Sequence, residues 1–387
     1  MQSGHDLIVV GAGLVGLATA YFAQKAGAKV LVLDRGATAY EASSRATGFL
    51  SLRGETPEES PLALIAEKLW PTLDEELGYP TEWKQKGRIW VAINELEAEK
   101  LKHTWASFET TDIGFELIDG KRCREIVPAF TEDVIAGIYT PRSGHANTQR
   151  TSQAFAWAFQ DLGGVIMEHT PVLSVIERSG KVAGVRTAGG DLHADKVVLA
   201  AGANNVALLD PFGVVYPTAP VRLEAMITTP LPPLFECCMI GHGISVRQTR
   251  RGNLQLNGGP HEWIDTDLER EPEKPTTPIV RNMVRRVLEL LPIAKQAQLL
   301  RTWGGVVDIT PDQMTIIHRF DTPSGLVVAS AGGHGFGMAP SLGQALSELA
   351  LHGATNAPIS RLTLDRFKNL PRDWRLRKKW HAGSYNT

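Results

Sequence analysis

The sequence contains few cysteines, almost no net charge and no long apolar run, and each of these shortages excludes a class of protein. Three cysteines in 387 residues, Cys123, Cys237 and Cys238, form neither a disulfide framework nor a zinc-binding pattern. We therefore predict buried free thiols in a reducing, cytoplasmic protein without a bound metal. The 40 basic and 42 acidic side chains nearly balance, which argues against nucleic acid or a membrane surface as a partner. Apolar runs fall short of the roughly 20 residues of a membrane span, and a strand starting near residue 6 leaves no room for a signal peptide.

The clearest pattern in the chain is a strand, a glycine turn, a helix and a second strand at its beginning. Asp6–Val10 is almost entirely apolar, which predicts a strand buried on both faces. It leads into Gly11–Gly16, which matches G-x-G-x-x-G, and a helical pattern then runs to Gly27. Lys29–Leu33 predicts a second buried strand, which ends at Asp34. The order of these elements indicates a dinucleotide-binding βαβ unit.

The residue type at each fixed position of this motif has a physical reason. Gly11 allows a tight turn, Gly13 lets the backbone approach a pyrophosphate, and Gly16 lets helix and strand pack closely. The helix N-terminus offers N–H groups and a positive dipole end to the phosphates. Asp34 is placed to accept hydrogen bonds from a ribose. A plain βαβ unit with a glycine turn is the alternative, because the three glycines alone are weak evidence.

Further along the chain, small residues recur at places where a ligand can approach. Ala42–Leu50 is rich in small and hydroxyl side chains and can lie close under a cofactor, although an ordinary surface loop has the same composition. Val197–Ala203 predicts a buried strand that loses its side chains at its carboxyl end, which suits a ligand there. Gly332–Pro340 forms a second glycine-rich junction between a strand and a helix. Residues 164–168, 172–177 and 182–187 predict three short strands of a β-meander.

Period-two alternation predicts strands at residues 221–228, 243–248 and 253–257. Further strands are predicted at residues 87–93, where the chain leaves the first domain, and at 298–308.

Four separated blocks, Gly11–Arg35, Ser43–Leu50, Val197–Ala203 and Trp303–Gln344, resemble the D-amino-acid oxidase superfamily, in the branch of glycine oxidase and the sarcosine oxidases. The last block contains the sequence Trp303-Gly304-Gly305-Val306-Val307-Asp308-Ile309-Thr310-Pro311-Asp312, followed by Ile316-Ile317 and Gly333-His334-Gly335-Phe336-Gly337. This form is most similar to the β subunits of multi-subunit sarcosine oxidases and to opine and hydroxyproline dehydrogenases. The resemblance implies an α/β fold with a Rossmann-like FAD-binding domain and a β-meander, interleaved with an antiparallel-sheet substrate domain.

The resemblance also implies noncovalent FAD, with its pyrophosphate at the first glycine turn and its isoalloxazine near Arg45–Phe49 and the second glycine turn. The adenine would contact the backbone of Val172. The residues that it assigns to the cofactor are Gly11, Ala12, Gly13, Leu14, Val15, Gly16, Asp34, Arg35, Ser43, Ser44, Arg45, Ala46, Thr47, Gly48, Phe49, Val172, Ala201, Gly202, Gly333, His334, Gly335, Phe336, Gly337 and Met338.

The implied domain boundaries are 1–80, 145–212 and 305–370 for the FAD-binding domain, 81–144 and 213–304 for the substrate domain, and 371–387 for a basic C-terminal tail. For the tail we predict a disordered, solvated segment, with docking to a membrane surface or an acceptor subunit as the alternative.

The implied reaction is oxidation of the C–N bond of an amino acid or secondary amine by hydride transfer to the flavin, with oxygen or an electron-acceptor protein or quinone as oxidant. Two alternatives stay open: a flavin-bearing β subunit of a larger electron-transfer dehydrogenase, and an NAD-dependent dehydrogenase.

Departures from the family pattern concern the substrate and the acceptor. Val307 stands where glycine oxidases place the arginine that anchors the substrate carboxylate. Ile309 and Thr310 stand where monomeric sarcosine oxidases attach flavin to a cysteine. Gln255 aligns with the lysine that activates oxygen in some members, which favours a dehydrogenase.

Candidates for the missing anchor are Arg222, Arg247 and Arg53, because an arginine binds a carboxylate through two parallel hydrogen bonds. A solvated sheet face is the alternative for each. His334 and His242 are candidate catalytic residues that have loop or helix-capping alternatives. Glu262 and Trp263 are expected to rim the pocket.

Overall fold

The computed structural model describes residues 4–50, 56–265 and 274–386. Its strands are β1 (Leu7–Val10), β2 (Val30–Leu33), β3 (Phe49–Leu50), β4 (Arg88–Ala92), β5 (Glu116–Asp119), β6 (Ala136–Thr140), β7 (Gly144–His145), β8 (Val165–Met167), β9 (Val172–Arg178), β10 (Lys181–Thr187), β11 (Gly190–Leu192), β12 (Val197–Leu199), β13 (Ala219–Pro230), β14 (Cys238–Gly241), β15 (Ile244–Gln248), β16 (Asn253–Trp263), β17 (Leu299–Ile309), β18 (Ile316–Arg319), β19 (Leu326–Ser330) and β20 (Tyr385–Asn386).

The α-helices are α1 (Leu14–Lys25), α2 (Ala42–Arg45), α3 (Ser60–Leu69), α4 (Leu73–Leu77), α5 (Glu95–Ser107), α6 (Gly120–Ile126), α7 (Thr148–Asp161), α8 (Asn205–Leu209), α9 (Thr277–Leu290), α10 (Ala339–His352) and α11 (Trp374–Arg377).

A six-stranded sheet in the order β18-β19-β12-β1-β2-β8 holds the first glycine turn. All of its strand pairs are parallel except β18 with β19. Alternate residues of β1 point to opposite faces of this sheet, and each face has its own core. Leu7 and Val9 pack against helices α1, α7 and α10, whereas Ile8 and Val10 pack towards the sheet β9–β11. Burial on both faces explains why β1 is a continuous apolar run. The turns at its carboxyl edge are thereby held on a rigid base.

The second large sheet contains the strands in the order β17-β13-β16-β15-β14-β4-β6-β5, with β20 paired to β16. Helix α9 covers one face, and its Ile279 and Met283 pack with Leu254 and Leu256 of β16. The opposite face of the central strands turns towards the carboxyl edge of the six-stranded sheet. The predicted α/β fold with a second, mainly antiparallel sheet is confirmed. The predicted domain boundaries stay a prediction. Strand β17 runs through the predicted boundary between residues 304 and 305.

The predicted meander needs a correction. The strand expected at 164–168 is β8, which pairs in parallel with β2 at the edge of the six-stranded sheet. The three-stranded meander consists of β9, β10 and β11, so its third strand lies at Gly190–Leu192. A three-residue strand is too short for its periodicity to indicate which sheet it joins. The four-residue strands β14 and β18 were not predicted either.

The C-terminal segment is packed, so the prediction of a disordered tail was wrong. Trp374 is buried, and the ring of Trp380 stacks on Trp263 of β16 with 4.0 Å between the ring centroids. The pairing of β20 with β16 ties the segment down further. Aromatic stacking and burial of large indole surfaces offset the ordering cost of the backbone. Among the described residues, no helix has the length and apolar character to cross a bilayer.

Candidate cofactor and substrate site

A cavity of about 260 Å³ lies between the carboxyl edge of the six-stranded sheet and the uncovered face of the large sheet. The start of α1, the 42–49 segment and the second glycine turn line one side of it. Strands β4, β13, β14, β15, β16 and β17 supply the other side. The structure therefore brings together three blocks that are separated by up to three hundred residues in the sequence.

The first glycine turn has no room for side chains. Gly11 has a φ of +108°, and a Cβ placed there would lie 2.5 Å from the carbonyl oxygen of Ala200. A Cβ on Gly16 would overlap the Gly11 carbonyl. Helix α1 begins after Gly13 without a side-chain cap from that residue and without an acidic residue in its first turn. This helix N-terminus therefore suits an anionic group, as the motif predicts.

Asp34 lies at the expected ribose position and also accepts hydrogen bonds from the backbone of the first glycine turn and of the turn that follows β2. Its Oδ2 accepts from the backbone N–H of Ala12 at 2.7 Å, and its Oδ1 accepts from Gly36 at 2.8 Å. The N–H of Thr170 donates to the Asp34 carbonyl, which brings the start of β9 at Val172 beside this edge. Arg35 donates to Asn204 and Glu41 instead of pointing into the cavity.

The 42–49 segment crosses beneath the large sheet. Ser43 Oγ accepts from the Leu14 N–H at 2.8 Å, so this hydroxyl lies at the start of α1. Arg45 donates to the Gly304 carbonyl, and the Trp303 indole donates back to the Arg45 carbonyl at 2.8 Å. Ser44 lies outside the cavity lining and donates to the Tyr40 carbonyl. Ser43 and Arg45 thus connect the segment to α1 and to β17, which both line the cavity.

The predicted residues at the carboxyl end of β12 hold the neighbouring strand. The Ala201 N–H donates to the Asn205 side chain, which donates to the Ala329 carbonyl of β19. Gly202 has a φ of +55° in the short turn that follows. These two residues support the sheet edge without lining the cavity.

The second glycine turn places His334 at the cavity wall. Its Nε2 lies 3.0 Å from Glu59 Oε2, and its Nδ1 lies 3.1 Å from the Gly332 carbonyl oxygen. The Glu59 carboxylate and the Gly332 carbonyl thus place an oxygen at hydrogen-bond distance from each ring nitrogen of His334. Glu59 is fully buried and also accepts from the Thr315 N–H. The indole of Trp70 donates to the Gly337 carbonyl at 2.7 Å, which fixes the end of the turn before Met338 and α10.

Two predicted catalytic residues lie elsewhere. Arg222 faces the side of the sheet that α9 covers, where it is paired with Glu262 at 2.5 Å and Glu224 at 3.0 Å. His242 lies between Glu97 and Glu289 outside the cavity. The carboxylate partners of both residues argue against their predicted roles. Glu262 is the partner of Arg222.

Trp263 packs in the C-terminal aromatic cluster, so the expected pocket rim at Glu262 and Trp263 is not formed. Arg53 lies outside the described residues. Arg247 is on the cavity side of the sheet, where its Nη2 donates to Gln255 Oε1 at 2.6 Å behind Gly48.

Sequence reasoning missed Arg88, Asn257 and Asp308, which all line the cavity. Asn257, not Gln255, is the β16 amide that reaches the lining, and its Oδ1 accepts from Thr47 at 3.2 Å. A charged residue inside an otherwise apolar strand was the available signal for Arg88 and Asp308, because such residues are rarely buried without a role.

Asp308 gives the fold a testable pH dependence. Burial raises the pKa of this carboxyl from its ordinary 3.8 to about 6, although the Ser330 hydroxyl donates to it. The folded protein therefore binds more protons than the unfolded chain between these values, and its stability falls as pH rises through that window. We expect Asp308→Asn to flatten this fall and to stabilise the flavin-free protein at pH 8 by about 3 kcal/mol. Urea unfolding from pH 4 to 8 measures this, with Asp321→Asn at an exposed site as the control. Parallel curves for all three proteins would contradict it.

Comparisons with known proteins agree with this geometry. A family model described as FAD dependent oxidoreductase matches residues 6–349. The chain is 27% identical to the sarcosine oxidase subunit beta of Arthrobacter sp over 377 residues, which cover 95% of this chain and 92% of that protein. It is 27% identical to glycine oxidase of Geobacillus kaustophilus, covering 95% and 98%. The crystal structure of that glycine oxidase superposes with a TM-score of 0.86 at 24% identity, covering 93% and 98% of the two chains. That of L-proline dehydrogenase from P. horikoshii superposes with 0.85 at 24% identity, covering 98% and 99%.

Proposed function

Because the chain belongs to the family of FAD-dependent oxidoreductases, we propose that it oxidises the C–N bond of an amino acid or secondary amine. The observation that carries this proposal is the cavity that lies between the start of α1, the second glycine turn and the uncovered face of the large sheet. The two relatives of similar length described above are named for sarcosine and glycine oxidation, which supports a small amine as substrate.

The described residues fit FAD. The uncapped start of α1 and the Ser43 hydroxyl would hold the pyrophosphate, and Asp34 would hold the ribose. The second glycine turn and His334 would face the other end of the cofactor. Cys123, Cys237 and Cys238 are buried and lie outside the cavity lining, which supports noncovalent binding. Free buried thiols also support the predicted cytoplasmic location.

When bound, FAD supplies the hydride acceptor for the oxidation, and the resulting imine hydrolyses to a carbonyl compound and an amine. The task of the protein is to orient the substrate and to exclude water from it. Leu223, Val307 and Phe336 give the cavity apolar walls.

The proposed electron acceptor is a protein or quinone rather than oxygen. The strand that carries an oxygen-activating lysine in some family members has neutral amides at both positions on the cavity side, Gln255 and Asn257. An acceptor other than oxygen is also compatible with the alternative that the chain is the flavin-bearing subunit of a larger complex. The similarity to a sarcosine oxidase subunit beta favours a role as a subunit.

Anaerobic reduction of the bound flavin tests the function directly. We expect the visible absorbance of the oxidised flavin to bleach with at least one member of a panel of glycine, sarcosine, prolines, D-amino acids and opines. Dithionite provides the positive control. Bleaching by dithionite and by no panel member would remove amine oxidation, and purified protein without flavin would favour the NAD-dependent alternative. Slow reoxidation by air after substrate reduction would support a non-oxygen acceptor.

A further inference from the structure

The connection between β17 and β18, residues 310–315, packs directly behind the second glycine turn. It is closed by two hydrogen bonds, in which the Gln313 N–H donates to the Thr310 carbonyl at 3.0 Å and the Thr310 hydroxyl donates to the Met314 carbonyl at 2.8 Å. A Cβ added to Gly332 would lie 3.0 Å from the Met314 carbonyl carbon and 3.1 Å from the Gln313 carbonyl oxygen. The backbone of the 310–315 turn therefore limits where the backbone of the second glycine turn can lie.

The 310–315 turn also reaches His334 at the cavity wall. Its last residue, Thr315, donates its N–H to Glu59 Oε1 at 2.7 Å, and Glu59 Oε2 lies 3.0 Å from His334 Nε2. His334 lines the cavity. The two turns are thus connected at two points, at Gly332 by direct contact and at His334 through Glu59.

A single arginine from a distant segment holds the 310–315 turn. Arg366, which follows α10 in the chain, donates through Nε and Nη2 to the two carboxylate oxygens of Asp312 at 2.8 Å and 3.3 Å. Its Nη2 also donates to the Met314 carbonyl at 3.1 Å. Asp312 Oδ1 accepts in addition from the Met314 N–H at 3.1 Å. The bidentate pair therefore fixes a side chain and the backbone of the same turn.

Arg366 is itself fixed by the segment that carries it. Its Nη1 donates to the carbonyls of Leu362 and Thr363 at 2.8 Å and 3.1 Å. Leu362 is fully buried in the core between the six-stranded sheet and its helices, and its carbonyl also accepts from the Ile317 N–H of β18. Only 15% of the Arg366 side chain is exposed. All three guanidinium nitrogens are engaged, which distinguishes this contact from a mobile surface ion pair.

Resting on the proposed function, we propose that Arg366 and Asp312 are positioning residues for the flavin end of the site. They hold the 310–315 turn against Gly332, and through that turn they fix the backbone that would face the isoalloxazine. Neither side chain lines the cavity, so their effect on the cofactor is exerted through the two turns. The region that the family model matches ends at residue 349, so Arg366 lies beyond it.

A comparison of two ligands tests the positioning role. The full-length protein is freed of flavin and titrated with FAD and, separately, with ADP, which carries only the adenosine and pyrophosphate end of the cofactor. We expect Arg366→Met to raise the Kd for FAD about 10-fold, because the turn that meets the flavin is no longer pre-organised, and to leave the Kd for ADP unchanged. Arg124→Met is the matched control and should change neither Kd. Arg124 likewise pairs with one carboxylate, that of Glu132, and donates to two backbone carbonyls, but lies outside the cavity lining and its supporting turns.

Asp312→Asn covers the case in which the methionine variant does not fold, because the amide keeps the size of the carboxylate and an acceptor for the Met314 N–H. It should also raise the Kd for FAD. The double variant should raise it no further than the larger single effect, since two residues that act as one pair are not additive. An equal rise in the Kd for ADP, or an unchanged Kd for FAD in either single variant, would overturn the proposal. The proposed function fails by a different result, namely a wild-type flavin that dithionite alone reduces.

Discussion

Gly11→Ala is expected to abolish FAD retention. The backbone of Gly11 has a φ of +108°, which lies outside the left-handed helical region. Alanine is unfavourable at positive φ even inside that region. A Cβ at this position would also lie 2.5 Å from the oxygen and 2.8 Å from the carbon of the Ala200 carbonyl. Relief of this overlap requires β1 or the end of β12 to move, and both lie at the edge that is proposed to receive the pyrophosphate. The ratio of flavin to protein absorbance after gel filtration measures the effect.

Gly27→Ala is the matched control for backbone strain. Gly27 has a φ of +93° in the same βαβ unit, but a Cβ there would meet nothing within 4 Å. We expect this variant to lose about 1 kcal/mol of stability and to keep its flavin. Equal flavin content in the two variants would show that close packing at Gly11 does not govern cofactor binding.

Glu59→Ala is expected to destabilise the protein by about 1–3 kcal/mol, because it removes the acceptor of the buried Thr315 N–H and the carboxylate that contacts His334. Glu59 is fully buried, its carboxylate lies 3.0 Å from His334 Nε2, and it accepts from the Thr315 N–H at 2.7 Å. Removal of the carboxylate takes away the oxygen that contacts each of these groups. The free energy of urea unfolding measures the loss.

Two further variants define what Glu59 does. Glu59→Gln keeps an acceptor for Thr315 but removes the negative charge beside His334, so we expect a smaller loss of stability than in Glu59→Ala. Glu41→Gln, at an exposed carboxylate paired with Arg35 and Arg45, should cost less than 1 kcal/mol. A Glu59→Ala variant as stable as Glu41→Gln would contradict a stabilising role for the buried contacts of Glu59.

Sequence reasoning worked where the signal is local. The first glycine turn was predicted in full because its backbone demands and its flanking strands are encoded by adjacent residues. The second glycine turn and the 42–50 segment were also located, since small residues in a row have few structural uses. Prediction was weaker for the three-residue strand β8, because its partner is chosen by the surrounding sheet.

Site prediction was weakest on the large sheet. Arg222 and Arg247 are equivalent in sequence, as single arginines in apolar strands. Arg222 lies beneath α9 with two carboxylates, whereas Arg247 lies on the cavity side with neutral partners. A shift of one residue in register exchanges the two faces of a strand, and the sequences of these strands do not determine their register on their own. Arg88 was missed for the same reason.

By itself, the sequence determined that the chain has a dinucleotide turn, a second glycine turn and an α/β fold with an added antiparallel sheet. These properties depend on local backbone geometry and on the period of the apolar residues. Only the tertiary structure decided which charges meet at the cavity, that the C-terminal tryptophans are packed, and that Glu59 pairs with His334 across 275 residues of chain. Those contacts depend on sheet register and on the packing of distant segments, which are set by the assembled core rather than by any single stretch of sequence.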